Sequence, residues 1–565
     1  MRNKEEMKGS EIAIKCLERA GVDTVFAYPG GASMELHHAF LKSSIRTILP
    51  RHEQGGAFAA AGYARATGKT GVCMATSGPG ATNLITGIAD AYMDSIPVVA
   101  ITGQVPSSLI GKTAFQETDI IGITRPIVKH SYLILDIEEI PAVFAEAFYL
   151  ANSGRPGPVV IDIPKNIQQA KTTPKFLSKT AIRSYQPDCE MDKQAVDAAR
   201  EAITRSLKPC IYAGGGIIAS GASDSLLKFA ESYNIPVVTT LMGVGAFPET
   251  HPLSLKWLGM HGTVPANNAA NECDLLITLG ARFDDRVTGP TATFAAAAKI
   301  IHVDIDQSEI NKNKRADIPV IANVKNVIDE WNKRPESSPR EEWFARIAEW
   351  KKEYPLAFDS DSKEILPQEV VRIIYEETKG EAVIVPGVGQ HQMWSGQFYD
   401  YSFPRQFLTS GGLGAMGFGL PTAMGAKVAL PGKTVVNIDG DGSAQMNIQE
   451  LGTIHNENID VKIVILNNQH LGMVAQWEDR FYGSSRGNTV LRNNRIDRPY
   501  PDFVTIAKGY QIPGREVYEK SELRDAIREM LDNDGAFLLD VHVEYQEHVL
   551  PMIPPGGTYK DILVE

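Results

Sequence analysis

Two short stretches place hard oxygen donors at the ends of apolar runs. "VVNIDGDGSAQMN" closes on Gly440, Asp441 and Gly442, and "VKIVILNNQHLGM" closes on Asn467 and Asn468, with 24 residues between Gly442 and Asn467. One helix and its turns fill such a gap, so the two ends are expected side by side. A carboxylate oxygen from Asp441 and an amide oxygen from Asn468, completed by phosphate oxygens and water, suit octahedral Mg²⁺. The flanking glycines let a diphosphate approach backbone N–H groups. Alone, either dipeptide would mean only a strand-to-helix turn.

Three further stretches carry candidate chemistry. In "IRTILPRHEQGGAFAAAGYARATG", Glu53 ends an apolar run and precedes a nearly uncharged Gly/Ala segment. Alone, such a glutamate is more often solvated or paired; the uncharged segment after it favours burial, where a raised pKa would suit proton exchange. In "LGARFDDRVTG", two arginines and two aspartates fall between Arg282 and Arg286, after the apolar run "CDLLIT". A salt-bridged loop is the ordinary reading. "GGLGAMGFG" contains Gly412-x-Gly414-x-x-Gly417, but "RQFLTS" precedes it and the next acidic residue is Asp439. A dinucleotide fingerprint needs a strand before it and an acidic residue some twenty positions on. The segment therefore reads as a close-packed loop leaving room for a cofactor. His37 and His38 lack metal-ligand spacing and are read as structural.

The elements that must position these residues recur along the chain. "DTVFAYPGG", "GVCMATSGPG", "PVVAITGQ" and "GPVVIDIP" occupy the first third. "PCIYAGGG", "IPVVTTLMG", "DLLITLGAR" and "KIIHVDID" follow in the second, and "AVIVPGVG", "KTVVNIDGDG", "VKIVILNN" and "AFLLDVHVE" in the last. Continuous apolar strands alternating with helical patterns indicate parallel sheets covered on both faces. The expected fold is α/β, with three domains, each a mostly parallel sheet flanked by helices. Polar stretches at 170–192, read as strandless, and 332–343 mark linkers. The expected boundaries are 1–185, 190–355 and 365–545, with a tail over 546–565. Ligands in such sheets sit beyond the carboxyl ends of strands.

Bulk properties narrow the function. A chain of 565 residues accommodates ~3 to 4 domains. Its 43% hydrophobic and 22% charged residues fit a soluble globular protein, and its net charge of −12 argues against a nucleic-acid footprint. The five cysteines include no CxxC pair, which fits a reducing compartment without a zinc or disulfide framework. The N-terminal stretch has no signal-peptide core and no apolar run reaches about 18 residues, so a cytoplasmic, non-membrane protein is expected.

The paired GDG and NN motif resembles the thiamine-diphosphate (ThDP) signature. Further stretches, among them "AYPGGASMELH", "TSGPGATNL", "AFQETD", "RPGPVVIDIPK", "GVGQHQMW", "LNNQHLGMVAQWEDRFY" and "QEHVLPMIPPGGT", extend the likeness from about residue 26 to 558. Over that span the chain resembles the catalytic subunit of acetohydroxyacid synthase (acetolactate synthase), of the FAD-containing biosynthetic type. The resemblance implies a transferase that decarboxylates pyruvate on ThDP and joins the two-carbon unit to a second 2-keto acid. Pyruvate as acceptor gives 2-acetolactate; 2-ketobutyrate gives 2-aceto-2-hydroxybutyrate. This is the first common step toward valine, leucine and isoleucine.

The resemblance also implies roles, position by position. Glu53 would activate the aminopyrimidine ring, with Pro79 and Asn83 walling its pocket. Asp441, Asn468 and the carbonyl of His470 would hold Mg²⁺. Val388, Gly389, Gln390, His391, Gly440, Gly442, Ser443, Gly472 and Met473 would surround the diphosphate, and Gly414 and Met416 would support the pyrimidine. Gln116 would reach the reacting centre from the other subunit, and Lys165 would stand at the channel mouth. Arg155, Gly214, Gly215, Gly216, Thr240, Leu241, Met242, Leu258, Gly259, Met260, His261, Gly280, Arg282, Asp284 and Asp306 would border a structural, non-redox FAD. Arg286 would hold the acceptor carboxylate, Trp477 would line the acceptor pocket, and Asp284 and Asp285 would orient the two arginines. A homodimer, or a dimer of dimers, and a small regulatory subunit complete the expectation. Glu53 argues against glyoxylate carboligase, which lacks that residue, and "AFQETD" lacks the paired histidines of the decarboxylases. With Asp441 and Asn468, Glu53 also argues against a non-catalytic paralogue.

Overall fold

The computed structural model describes residues 6–177, 180–187, 190–336, 338–492 and 500–565. Among these, seventeen strands sort into three all-parallel sheets, one from each third of the chain. The first sheet runs Arg46–Ile48, Thr24–Ala27, Gly71–Ala75, Val98–Gln104, Val159–Pro164, His130–Leu133. The second runs Ser254–Trp257, Val237–Thr239, Pro209–Ala213, Leu275–Leu279, Lys299–Asp304, Ile318–Ile321. The third runs Val383–Pro386, Val435–Gly440, Lys462–Asn467, Phe537–His542, Gly514–Val517. Val435–Gly440 and Lys462–Asn467 are neighbours, with Gly440 opposite Leu466, so the GDG and NN ends lie side by side as expected.

All twelve apolar runs are strands. The five strands without such a run, Arg46–Ile48, His130–Leu133, Ser254–Trp257, Ile318–Ile321 and Gly514–Val517, all lie at sheet edges. A central strand buried on both faces is mostly apolar: Val98–Gln104 is buried at every position, its polar Thr102 and Gln104 hydrogen-bonded to Asp162. An edge strand meets water and carries a mixed sequence; none of the four residues of His130–Leu133 is fully buried.

The polar stretch at 170–192 is not strandless: Lys171–Thr172 pairs antiparallel with Met7–Lys8. The stretch at 332–343 does not swing free either. Arg340 is buried and donates to the carbonyls of Ser206, Ile203 and Asn234, and Trp343 Nε1 donates to Pro209 O at 3.1 Å. Both residues begin or precede helix Glu341–Glu353, whose buried Trp343, Ile347 and Trp350 close one face of the second sheet. The charges around them are the solvent side of an amphipathic helix.

The first and third sheets are joined by helix Glu53–Thr67 lying on helix Gly419–Ala429. The contact is backbone to backbone. A Cβ on Gly62 would stand 2.3 Å from Thr422 O, and one on Gly425 1.9 Å from Ala59 O. Small residues at these points let one hydrophobic cluster span both domains, from Phe58 and Ile88 to Phe418 and Met424. Gly425→Ala is expected to destabilise the chain by about 1–3 kcal/mol, read as a lower urea midpoint. Gly432→Ala, at a position with open space around its Cβ, is expected to stay within about 0.5 kcal/mol of the parent. Equal midpoints for the two variants would contradict this packing.

Candidate active site

Three helix N-termini converge at the carboxyl end of the third sheet: Gln390–Phe398 after Gly389, Asp441–Ala444 after Gly440, and Gly472–Phe481 after Leu471. Their convergence leaves no room for side chains at the glycines. A Cβ on Gly440 would stand 2.7 Å from His391 Nδ1, and one on Gly472 2.1 Å from Gln390 Oε1. N–H groups presented in this way form an anion site. Asn468 Nδ2 donates to Gln390 Oε1 at 3.4 Å, its Oδ1 accepts from His470 N at 3.0 Å, and Ser443 Oγ accepts from Gly417 N at 3.1 Å. Gly414 and Met416 border the same point: a Cβ on Gly414 would stand 3.9 Å from Val388, and one on Gly442 3.7 Å from Met416 Cε. Met473 lines the large cavity described below. The His470 ring stacks on Tyr545 at 4.8 Å.

Asp441 is 1% exposed. Its Oδ1 accepts from Gly442 N at 3.0 Å, while Oδ2 is buried without a hydrogen-bond partner. Burial pushes its carboxyl up to about 7, opposed by N–H groups of Gly442 and Gln469. An orphaned carboxylate oxygen beside amide oxygens fits a hard divalent cation.

Glu53 is not on a strand end and is not fully buried. It opens helix Glu53–Thr67 and is half-buried; the uncharged turns after it are buried. A carboxylate gains from the N–H groups and dipole of a helix start, so the position suits a charged residue. Asn83 Nδ2 donates to Glu53 Oε2 at 2.9 Å from helix Pro79–Asn83. Gln116 sits above that helix in the left-handed region (φ 59°), with its Cα 2.9 Å from where a Cβ on Gly78 would stand. Glu53, Pro79, Asn83 and Gln116 thus gather on the first domain. Lys165 starts a helix after Val159–Pro164, half-buried and without an ion-pair partner among the described residues. Of the described residues lining the two cavities discussed next, none is Glu53, Asn83, Gln116 or Lys165.

The larger cavity, about 1610 Å³, exceeds the roughly 300–1,000 Å³ of an ordinary ligand site. It runs from Arg155, Gly215, Gly216 and Gly280 past Thr240, Leu241, Met242 and Leu258 to Met260, His261, Arg282, Asp284 and Arg286, and on to Val388, Gly389, Gly414 and Trp477. Tyr212 Oη, Thr240 Oγ1 and His261 Nδ1 are buried on its walls without partners. These orphaned polar atoms fit a large ligand with polar edges. Three expected border residues, Gly214, Gly259 and Asp306, are not among the residues that line it. Gly214 and Gly280 exist for close packing, since a Cβ on Gly214 would meet Gly280 O at 2.1 Å. A Cβ on Gly259 would meet Arg286 O at 2.7 Å. Asp306 is already engaged, its Oδ2 with Arg155 at 3.1 Å and its Oδ1 with Ser308. A second cavity of about 320 Å³ adjoins the first, with Arg286, Trp477 and Met260 lining both and the tail residues Ile553–Tyr559 closing it.

The loop Arg282–Arg286 is not salt-bridged. Among the described residues none of its four charges makes an ion pair, and the aspartates do not orient the arginines. Asp284 caps helix Asp285–Thr288 by accepting from Arg286 N at 2.9 Å, and Asp285 is exposed. The anchor is apolar. Phe283, 1% exposed at φ 54°, inserts its ring among Tyr212, Phe294 and His302. Asn313 Nδ2 holds the carbonyls of Arg282 and Phe283. The buried ring pins the turn, and both arginines line the larger cavity, Arg286 Nη1 lying 3.6 Å from Met260 Sδ.

Some site residues escaped the sequence reading. Glu450 accepts from Arg51 N and His52 N at 3.0 Å each, fixing the turn before Glu53 from the third domain. Glu309, 4% exposed, holds Arg155 at 2.7 Å. Arg65, Asp90 and Asp94 form a buried cluster. The last had a signal: a lone arginine in an uncharged helix, and carboxylates spaced i,i+4 in "IADAYMDS".

An anion cradle at helix N-termini, beside a buried carboxylate, on the last of three parallel α/β domains marks a thiamine pyrophosphate enzyme. The family models for the N-terminal TPP binding domain, the central domain and the C-terminal TPP binding domain of such enzymes match residues 7–123, 196–331 and 387–541. The chain is 54% identical to acetolactate synthase 1, chloroplastic, of Oryza sativa subsp. japonica, over 99% of this chain and 88% of that protein. It is 53% identical to acetolactate synthase, chloroplastic, of Arabidopsis thaliana, over 99% of this chain and 84% of that protein. The chain belongs to the acetolactate synthase family, and its activity is ThDP-dependent acetolactate synthesis. Among the described residues no helix is long and apolar enough to cross a membrane.

The state of Asp441 gives a test. A cation held by its carboxylate competes with a proton that leaves at about 7. Apparent Mg²⁺ affinity in the presence of ThDP is therefore expected to weaken about tenfold per unit below pH 7 and to level off above it. Calorimetric titrations at pH 6, 7 and 8 check this, with Asp441→Asn removing the slope. The same slope in Asp441→Asn would contradict the assignment.

Proposed function

We propose that the chain condenses pyruvate with a second pyruvate or with 2-ketobutyrate, serving valine, leucine and isoleucine synthesis. The observation that carries this reading is the shared cavity: Arg286 and Trp477 line the same space as Val388, Gly389 and Gly414. An acceptor-binding guanidinium and an aromatic wall thus face the cofactor loops. Bound ThDP supplies the carbanion chemistry at its thiazolium carbon. Asp441, Asn468 and the His470 carbonyl would hold Mg²⁺, and the glycine-lined N-termini the diphosphate. Glu53, steadied by Asn83, would exchange a hydrogen bond with the pyrimidine, and Lys165 would attract anionic keto acids to the entrance.

A structural FAD is favoured by the size of the larger cavity and its orphaned polar atoms, with Arg155 and Arg282 on its walls. A homodimer is favoured because the Glu53 cluster and the Asp441 cluster are not hydrogen-bonded to each other among the described residues. Each half of the site would then be completed by the partner chain. A dimer of dimers and a small regulatory subunit belong to the proposal through family likeness alone. So do the boundaries 1–185, 190–355, 365–545 and 546–565, which accord with the three sheets. The relatives' names place those proteins in chloroplasts. A cytoplasmic, reducing location is proposed here on the four free, buried cysteines; Cys189 lies outside the described residues.

One competition assay separates the two acceptor contacts. With pyruvate and 2-ketobutyrate together, Trp477→Leu is expected to lower the preference for 2-ketobutyrate, since a ring face beside one extra methyl contributes ~1–2 kcal/mol. Arg286→Lys is expected to weaken use of both acceptors while FAD stays bound, because a lysine cannot reproduce a bidentate fork. An unchanged product ratio in the first variant, or loss of FAD before loss of acceptor use in the second, would overturn these roles.

A further inference from the structure

Besides the Glu450 contact with Arg51 and His52, the seam between the first and third domains holds a fully buried ion cluster. Arg65, the sole arginine of helix Glu53–Thr67, is 3% exposed. Its Nη2 donates to Asp90 Oδ2 and to Asp94 Oδ2, at 2.8 Å each. The two carboxylates come from one turn of helix Ile85–Met93 and its C-terminal cap, and both side chains are 0% exposed. One cation faces two buried anions. The surplus negative charge must be balanced elsewhere.

The balance comes from the third domain. Gly412 N–H donates to Asp94 Oδ1 at 2.7 Å and Gly411 N–H to Asp94 Oδ2 at 3.1 Å. Ser410 Oγ donates to Asp90 Oδ1 and accepts from Ala415 N at 3.0 Å. The guanidinium of Arg65 lies over the ring of Phe418 at 5.1 Å, and Arg405 Nη1 donates to Arg65 O at 2.9 Å. The loop from Ser410 to Phe418 is thus gripped at both ends by one helix pair of the first domain. It cannot slide: a Cβ on Gly411 would stand 2.5 Å from Met242 Sδ, and one on Gly412 2.9 Å from Asp94 Oδ1. Gly414 and Met416 lie at the middle of this loop.

We propose that Arg65, Asp90 and Asp94 are positioning residues for the cofactor, a buried ion triad of the first domain that sets the Gly414–Met416 loop of the third domain in the same chain. Arg65 and Asp94 border the larger cavity; toward the loop, Asp94 acts through the N–H groups of Gly411 and Gly412. An amide at position 94 offers one acceptor oxygen where the carboxylate offers two. One of the N–H groups of Gly411 and Gly412 then loses its partner, and Arg65 loses one of its two anionic partners. The proposal rests on the reading of Gly414 and Met416 given above.

The test is calorimetric titration of full-length protein with ThDP at fixed Mg²⁺, for the parent, Asp94→Asn and Met416→Ala, with cofactor-dependent turnover alongside. Asp94→Asn is expected to raise the dissociation constant for ThDP at least about tenfold, because charge-assisted hydrogen bonds to the loop are lost. The half-saturating ThDP concentration should move more than kcat. Parent-like ThDP affinity in Asp94→Asn, whatever its thermal stability, overturns the proposal. Met416→Ala with parent affinity overturns the reading of the loop and the proposal with it. Weakened Met416→Ala beside an unaffected Asp94→Asn overturns the proposal alone. Should Asp94→Asn not fold, Ser410→Ala carries the same expectation and the same reversal.

Discussion

Everything in the site depends on one close approach, the contact of helix Glu53–Thr67 with helix Gly419–Ala429 through Gly62 and Gly425. Cores are packed as densely as crystals, so a contact made by backbone atoms admits no adjustment. With that contact fixed, Glu450 of the third domain reaches the N–H groups of Arg51 and His52 and orients the turn before Glu53. The same seam carries the Arg65 cluster to the Ser410–Phe418 loop. One helix therefore carries Glu53 at its start and, near its end, the Arg65 contact with the Ser410–Phe418 loop.

Charge in this chain is placed where backbone can answer it. Burial raises Asp441, and among the described residues its remaining oxygen has no hydrogen-bond partner, which leaves it available to a cation. Glu53 faces the opposite situation, half-exposed at a helix start and held by Asn83. The two carboxylates thus do different work in different surroundings, although both follow apolar runs in the sequence. The loop at Arg282 follows another rule. Its guanidiniums are separated by a buried phenylalanine and a capping aspartate, not by ion pairs, so both remain available to anionic groups.

The strands with apolar sequence were legible because a parallel sheet covered on both faces demands continuous apolar runs. An edge strand such as His130–Leu133 was not, since none of its residues is fully buried and no apolar run marks it. The GDG and NN ends were legible because spacing alone makes the strands neighbours. Three features depended on tertiary context. The half-exposure of Glu53 follows from the helix starting at that residue. The burial of Arg340 and Trp343 inside an apparent linker follows from an amphipathic helix whose solvent face carries the charges. The Arg65 cluster needs two domains to be seen at once.

The central claim is that each cofactor site is divided, with Glu53 supplied by one chain and Asp441 by another. Mixing Glu53→Gln with Asp441→Asn after each is shown inactive alone tests it directly. Random reassortment of symmetric dimers makes half of them mixed, each with one intact site of two, so about a quarter of the parent's 2-acetolactate formation is expected to return. A mixture that stays as inactive as its components would show that both carboxylates serve one cofactor within one chain, and would contradict the account.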